Sequence, residues 1–241
     1  MKIEVCIDSV QSALNAQQGG AIRVELCDNL MEGGTTPSAG TIAITRGQIY
    51  IGLQVIIRPR GGDFLYSELE FNVMKKDILV AKDLGVDGVV IGMLTKEGRV
   101  DVNRCAELVE LADPMNVTFH RAFDMTRDPS EALEDIIGLG VDRVLTSGQQ
   151  ANAIEGKDLI KKLKKQADGR IIIMPGGGVD ENNIDQLTEI GIEECHVSAR
   201  KSEVSQMEYR NPNVFMGAGP DLPEYEIKVT DPDRISKMAK P

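Results

Sequence analysis

Ile171-Ile172-Ile173-Met174-Pro175-Gly176-Gly177-Gly178 is a β-branched run that stops abruptly in three glycines. The run is too short for a helix and lacks polar alternation, which suits a strand buried on both faces. A glycine turn leaving such a strand is where α/β proteins present backbone N–H groups to an anion. The pattern recurs upstream, where residues 53–57 lead into Arg58-Pro59-Arg60-Gly61-Gly62-Asp63. Six further strand-like runs lie at 3–7, 22–26, 88–91, 117–120, 143–146 and 195–198, which makes eight.

Helical candidates separate them, at 10–18, 38–45, 69–84, 102–111, 129–137, 157–166 and 181–189. Asp128-Pro129 and Ser67 ahead of Glu68 and Glu70 are start signals, and Gly85, Gly140 and Gly191 are stops. Eight β–α alternations with no break in composition predict an α/β fold, a (β/α)8 barrel of the TIM type. It forms one domain over residues 1–241. A doubly wound sheet is the alternative, and the regular spacing favours the barrel. A last helix at 232–239, capped by Asp231, closes the ring. The intervening segment 201–230, which contains prolines and glycines, reads as a lid over the barrel mouth or an interface loop.

With 27 basic and 38 acidic residues the formal charge is −11. No long basic run offsets it, so nucleic acid and anionic membranes are not expected partners. No stretch reaches the roughly 20 apolar residues of a membrane span. Met1 leads directly into a strand-like run, leaving no room for a targeting leader. Cys6, Cys27, Cys105 and Cys195 form no CxxC pair, so free thiols in a reducing cytoplasm are expected.

Alternation along each strand sorts its side chains between helix shell and barrel centre. Ile3, Val5 and Ile7 share one face and Glu4, Cys6 and Asp8 the other; Ile22, Val24 and Leu26 oppose Arg23, Glu25 and Cys27. The aliphatic faces suit the shell, which points the polar ones inward. Gln54, Arg58 and Arg60, then Thr118 and His120, then Glu194, His196, Ser198 and Arg200 follow by the same parity. Glu4, Arg23 and Glu194 lie low and read as an internal ion-pair layer. The upper ring adds Arg121, Asp124 and Ser147 and lies at strand C-terminal ends, where such barrels do chemistry.

Two chemistries fit this ring. In an enzyme acting on a small phosphorylated or carboxylated metabolite, Glu25, His120 and His196 would be the catalytic proton carriers. Arg58, Arg60, Gly176, Gly177, Gly178, Ser198 and Arg200 would hold the anion. Alternatively, Cys6 and Cys27 occupy neighbouring strands at similar height with the same parity. Two soft thiolates suit Cu(I), whereas a structural zinc would want four closely spaced ligands, which the sequence does not display. The competing reading makes both cysteines small buried hydrophobes.

Several segments together resemble the CutC family, named for copper homeostasis. They are Val5-Cys6-Ile7-Asp8-Ser9, Glu25-Leu26-Cys27, Glu32-Gly33-Gly34-Thr35-Thr36-Pro37-Ser38 and Ile57-Arg58-Pro59-Arg60-Gly61-Gly62-Asp63-Phe64. Further along come Thr118-Phe119-His120-Arg121-Ala122-Phe123-Asp124, Leu145-Thr146-Ser147-Gly148, Met174-Pro175-Gly176-Gly177-Gly178 and His196-Val197-Ser198-Ala199-Arg200. The resemblance runs from Met1 to about Thr230. It implies a TIM-type barrel, a cytosolic location and homo-oligomers, dimeric or tetrameric. In the animal-type branch it also implies one Cu(I) per chain, bound by the cysteines that correspond to Cys6 and Cys27.

Overall fold

The computed structural model describes residues 1–214, 216 and 223–239. Eight strands form one parallel sheet: β1 (Lys2–Ile7), β2 (Arg23–Leu26), β3 (Gly52–Ile56), β4 (Gly88–Ile91), β5 (Asn116–Phe119), β6 (Arg143–Thr146), β7 (Ile172–Pro175) and β8 (Glu194–Val197). Their order is β7-β6-β5-β4-β3-β2-β1-β8, and a bridge between Gly176 and His196 brings the two ends together. The result is the expected (β/α)8 barrel. Around it lie α1 (Val10–Gln18), α2 (Ala39–Gln48), α3 (Glu68–Asp83), α4 (Val102–Ala112), α5 (Pro129–Gly138), α6 (Lys157–Ala167), α7 (Asp185–Thr188) and α8 (Pro232–Met238).

Local chemistry explains several boundaries. Ser67 and Glu70 exchange hydrogen bonds in a capping box at the start of α3. Asp128 caps α5, with Pro129 at its first position. The helix expected over 181–189 contracts to the four residues of α7. Asn183 accepts from the Asp180 N–H and donates to the Gly178 carbonyl, while Asp180 accepts from the Asn182 N–H. These side-chain bonds offer the backbone partners that a helix would otherwise supply.

The parity reading holds for Ile3, Val5, Ile7, Val24, Leu26, Leu53 and Val55, which are fully buried, but not for Ile22, which precedes β2 and is exposed. At the bottom of the barrel Arg23 pairs with Glu4 and, at 2.8 Å, with Glu194, which Arg143 also reaches at 3.0 Å. This is the anticipated ion-pair layer, extended by one arginine. Buried charges persist when each is paired in this way.

The segment expected to form a lid or an interface loop, 201–230, lies partly outside the described residues. Its ends pair as an antiparallel ribbon of β9 (Arg200–Val204) and β10 (Glu226–Thr230). The ribbon is anchored on the helix shell, where Thr230 N donates to Ser12 Oγ at 3.2 Å and Asn15 Nδ2 donates to the Thr230 carbonyl at 2.8 Å. Among the described residues none of this segment lines the cavity at the mouth. None of the described helices is long and apolar enough to cross a membrane.

Candidate functional site

A cavity of about 340 Å³ opens at the C-terminal end of the barrel strands. Its floor is built by adjacent registers: Cys6 on β1 lies beside Glu25 on β2, and Glu4 beside His196 on β8. Parallel pairing with matched parity therefore brings four donor groups together. Cys6 Sγ is 3.9 Å from Cys27 Sγ. Ligand atoms of Cys6, Glu25 and His196 all lie within 4.8 Å of one another. The fold thus assembles a three-residue ligand set, with the second sulfur of Cys27 beside one of its members.

The electrostatics of the floor are coupled. His196 Nδ1 lies 2.8 Å from Glu4 Oε1, and its Nε2 lies 3.5 Å from Glu25 Oε2. Although burial opposes it, contact with Cys6, Glu4 and Glu25 favours the imidazolium and raises the His196 pKa. A hydrogen bond from the Cys27 thiol, together with His196, lowers Cys6 to about 5 against the effect of burial. Cys27 moves the opposite way, raised first by sharing its proton with Cys6 and then by burial. Burial, reinforced by the Cys6 charge, pushes Glu25 up to about 8. One thiolate, one thiol and one imidazolium beside a carboxyl become a soft donor set once protons leave on metal binding.

His120 stands apart on the cavity wall. Its ring packs against Gly92, the residue after β4, since a Cβ there would sit 2.4 Å from His120 Cε1. Its Nδ1 accepts the Ala122 N–H at 3.1 Å, so the ring proton resides on Nε2. Burial, then the nearby Arg58 charge, pushes its pKa down to about 3. His120 is therefore held neutral in this environment, with its proton on Nε2.

The anion-binding set divides. Arg58 lines the cavity, but its guanidinium ties loop carbonyls: Nη1 donates to Glu32 and Gly34 at 2.8 and 2.6 Å, and Nη2 to Gly62 at 2.9 Å. Arg60 lies outside, bound to Glu70 at 2.5 Å and to Asp63 at 3.1 Å, with its guanidinium over the Tyr66 ring. Proline at 59 and the turn that follows carry it away from strand parity. Ser198 is exposed, and Arg200 pairs with Asp8.

Gly176, Gly177 and Gly178 serve the barrel seam. A Cβ at Gly176 would lie 2.5 Å from Leu145 Cδ1, and Gly177 and Gly178 take φ of 95° and 71°. The short α7 begins seven residues beyond Gly178, so the turn does not lead directly into a helix N-terminus. Asp124 is consumed structurally: it accepts from Arg121, Thr146, Ser147 and the Gln149 N–H. Parity had no means of finding Glu32, Phe64 and Met125, which line the cavity from loops and turns beyond the strands. Cys105 and Cys195 are buried packing residues, their thiols pushed up to about 12 by burial.

Comparison with known proteins places this site in context. The chain is 53% identical to the mouse copper homeostasis protein cutC homolog over 98% of its own length and 87% of the relative's. It is 51% identical to the human cutC homolog over the same shares. A solved structure described as a CutC copper homeostasis protein, from Streptococcus agalactiae, superposes with a TM-score of 0.79 at 34% identity, covering 82% of this chain and 98% of that one. The CutC family model matches residues 1–201. From the barrel, the site and these likenesses together, the chain belongs to the CutC family.

Proposed function

We propose that this protein serves copper homeostasis by binding one Cu(I) ion per chain through Cys6 and Cys27, with His196 as a third donor. The observation that carries the reading is the pair of sulfurs 3.9 Å apart, with Cys6 on the cavity lining and the His196 imidazole within ligand reach of it. Metal–thiolate bonds of about 2.3 Å span such a gap from both sides. Thiolates and imidazole are the soft and borderline donors that Cu(I) prefers. The names of the mouse and human relatives support the copper role.

In this reading each residue has a distinct task. Cys6 supplies the thiolate, and Cys27 supplies a second sulfur once its proton leaves. Glu4 fixes the His196 ring through Nδ1, leaving Nε2 directed towards Cys6 and Glu25. Glu25, which burial keeps protonated at neutral pH, can release its proton when a cation arrives at the floor.

An anaerobic Cu(I) competition titration against a chromogenic chelator tests the proposal. One ion per wild-type chain is expected, with affinity reduced at least about hundredfold, or about 2.7 kcal/mol, in Cys6→Ser or Cys27→Ser. His196→Asn should weaken binding about tenfold or more. Affinity unchanged in both cysteine variants, with folds intact by circular dichroism, would overturn it.

A further inference from the structure

The copper reading gives Glu25 no place as a ligand, although this carboxylate is positioned like one. It is buried, lines the cavity, and its Oε2 lies 3.5 Å from His196 Nε2. Among the described residues no arginine or lysine pairs with it. Cu(I) selects sulfur and nitrogen, so a buried oxygen donor at this point suits a harder ion.

Ligand atoms of Cys6, Glu25 and His196 lie within 4.8 Å of one another. One sulfur, one oxygen and one nitrogen make a mixed set, and Zn2+ accepts all three through bonds of about 2.0–2.3 Å. Two atoms bound at about 2.1 Å to a tetrahedral ion lie about 3.4 Å apart, close to the His196–Glu25 separation. A thiolate, a carboxylate and a neutral imidazole together carry two negative charges, which matches a dication. His196 is also held from behind: its Nδ1 lies 2.8 Å from Glu4 Oε1, the carboxylate–histidine arrangement that orients a zinc-bound imidazole.

Closure by four protein ligands belongs to structural zinc, whereas three ligands and an open position mark the catalytic kind. Cys6, Glu25 and His196 all line the cavity of about 340 Å³, so a fourth position faces that space. Cys27, the next donor, is buried beside Cys6 and is not part of the cavity lining.

From this arrangement we infer that the floor is also a Zn2+ site formed by Cys6, Glu25 and His196, its fourth position open to the cavity for water or the oxygen of a small ligand. A zinc ion there supplies a Lewis acid at the end of the barrel where such folds do chemistry. Zn2+ and Cu(I) share Cys6 and His196 and exclude each other, with Glu25 serving one ion and Cys27 the other. The inference goes beyond the copper reading and stands without it.

Metal-free, reduced protein is titrated with Zn2+ against a chromogenic chelator, and with Co2+ as a spectroscopic stand-in. One Zn2+ per chain is expected. Glu25→Gln should lower Zn2+ affinity about tenfold or more while Cu(I) affinity stays within about threefold of wild type. Cys27→Ser should leave Zn2+ affinity at the wild-type level. Co2+ should give a four-coordinate spectrum with a thiolate charge-transfer band, and azide should shift its visible bands without releasing the ion. Should Glu25→Gln not fold by circular dichroism, the wild-type Co2+ spectrum decides. Absence of stoichiometric Zn2+ binding, unchanged Zn2+ affinity in folded Glu25→Gln, or a Co2+ spectrum unmoved by azide would overturn the inference. Failure of the copper reading would show separately, as Cu(I) affinity unchanged in Cys27→Ser.

Discussion

At the residue scale, burial decides what each ionisable group does. His120 and His196 share one barrel mouth and end in opposite states, because one faces Arg58 and apolar rings while the other touches Glu4, Glu25 and Cys6. Holding the His120 pKa at about 3 against an ordinary 6.5 means that, between those values, the unfolded chain takes up a proton the folded one refuses. Stability from this group is therefore complete above pH 6.5 and lost as pH falls towards 3. Between pH 7 and 5 wild type should lose about 2 kcal/mol more than His120→Phe, read from urea unfolding at the two pH values. A second expectation concerns the floor layer. Arg23→Met would leave Glu4 and Glu194 short of a buried partner and should cost about 3 kcal/mol. A loss below about 1 kcal/mol would mean that water reaches the layer.

At the element scale, glycines mark where strand ends must pass close to other backbone. Gly148, after β6, has φ of 68°, and a Cβ there would lie 2.4 Å from the Gly156 carbonyl oxygen. Gly85, after α3, has φ of 74° with open space around it. Gly85→Ala should thus cost only the left-handed conformational penalty, about 1 kcal/mol. Gly148→Ala adds a clash with backbone that cannot rotate away, for about 3 kcal/mol or more. Equal midpoints in a thermal or urea melt would refute the distinction. All eight strands and the caps of α3 and α5 were legible from residue order, since periodicity and capping are local signals. The contraction of α7 was not, because it depends on Asn183 reaching back to Gly178. Nor was the displacement of Arg60, which follows from a turn and a pairing with Glu70 rather than from strand parity.

On the scale of the whole molecule, the barrel is fastened unevenly. β1 and β2 pair over four registers, whereas β7 and β8 meet, among the described residues, through the bridge between Gly176 and His196. Local opening should begin at this seam, so hydrogen exchange in β8 at and beyond His196 should outpace that in β2. Uniform protection around the ring would contradict this. Because His196 belongs to both seam and floor, a bound ion there would also slow the exchange. The sequence by itself determined the number and order of strands, the parity of their side chains and hence the inward placement of Cys6, Glu25, Cys27 and His196, since each of these is a repeat along one chain. Only the tertiary structure decided which donors meet, that His120 is held neutral, and that Arg60 and Ser198 lie outside. Those outcomes depend on distances between strands far apart in the chain and on burial, neither of which is written in a local pattern.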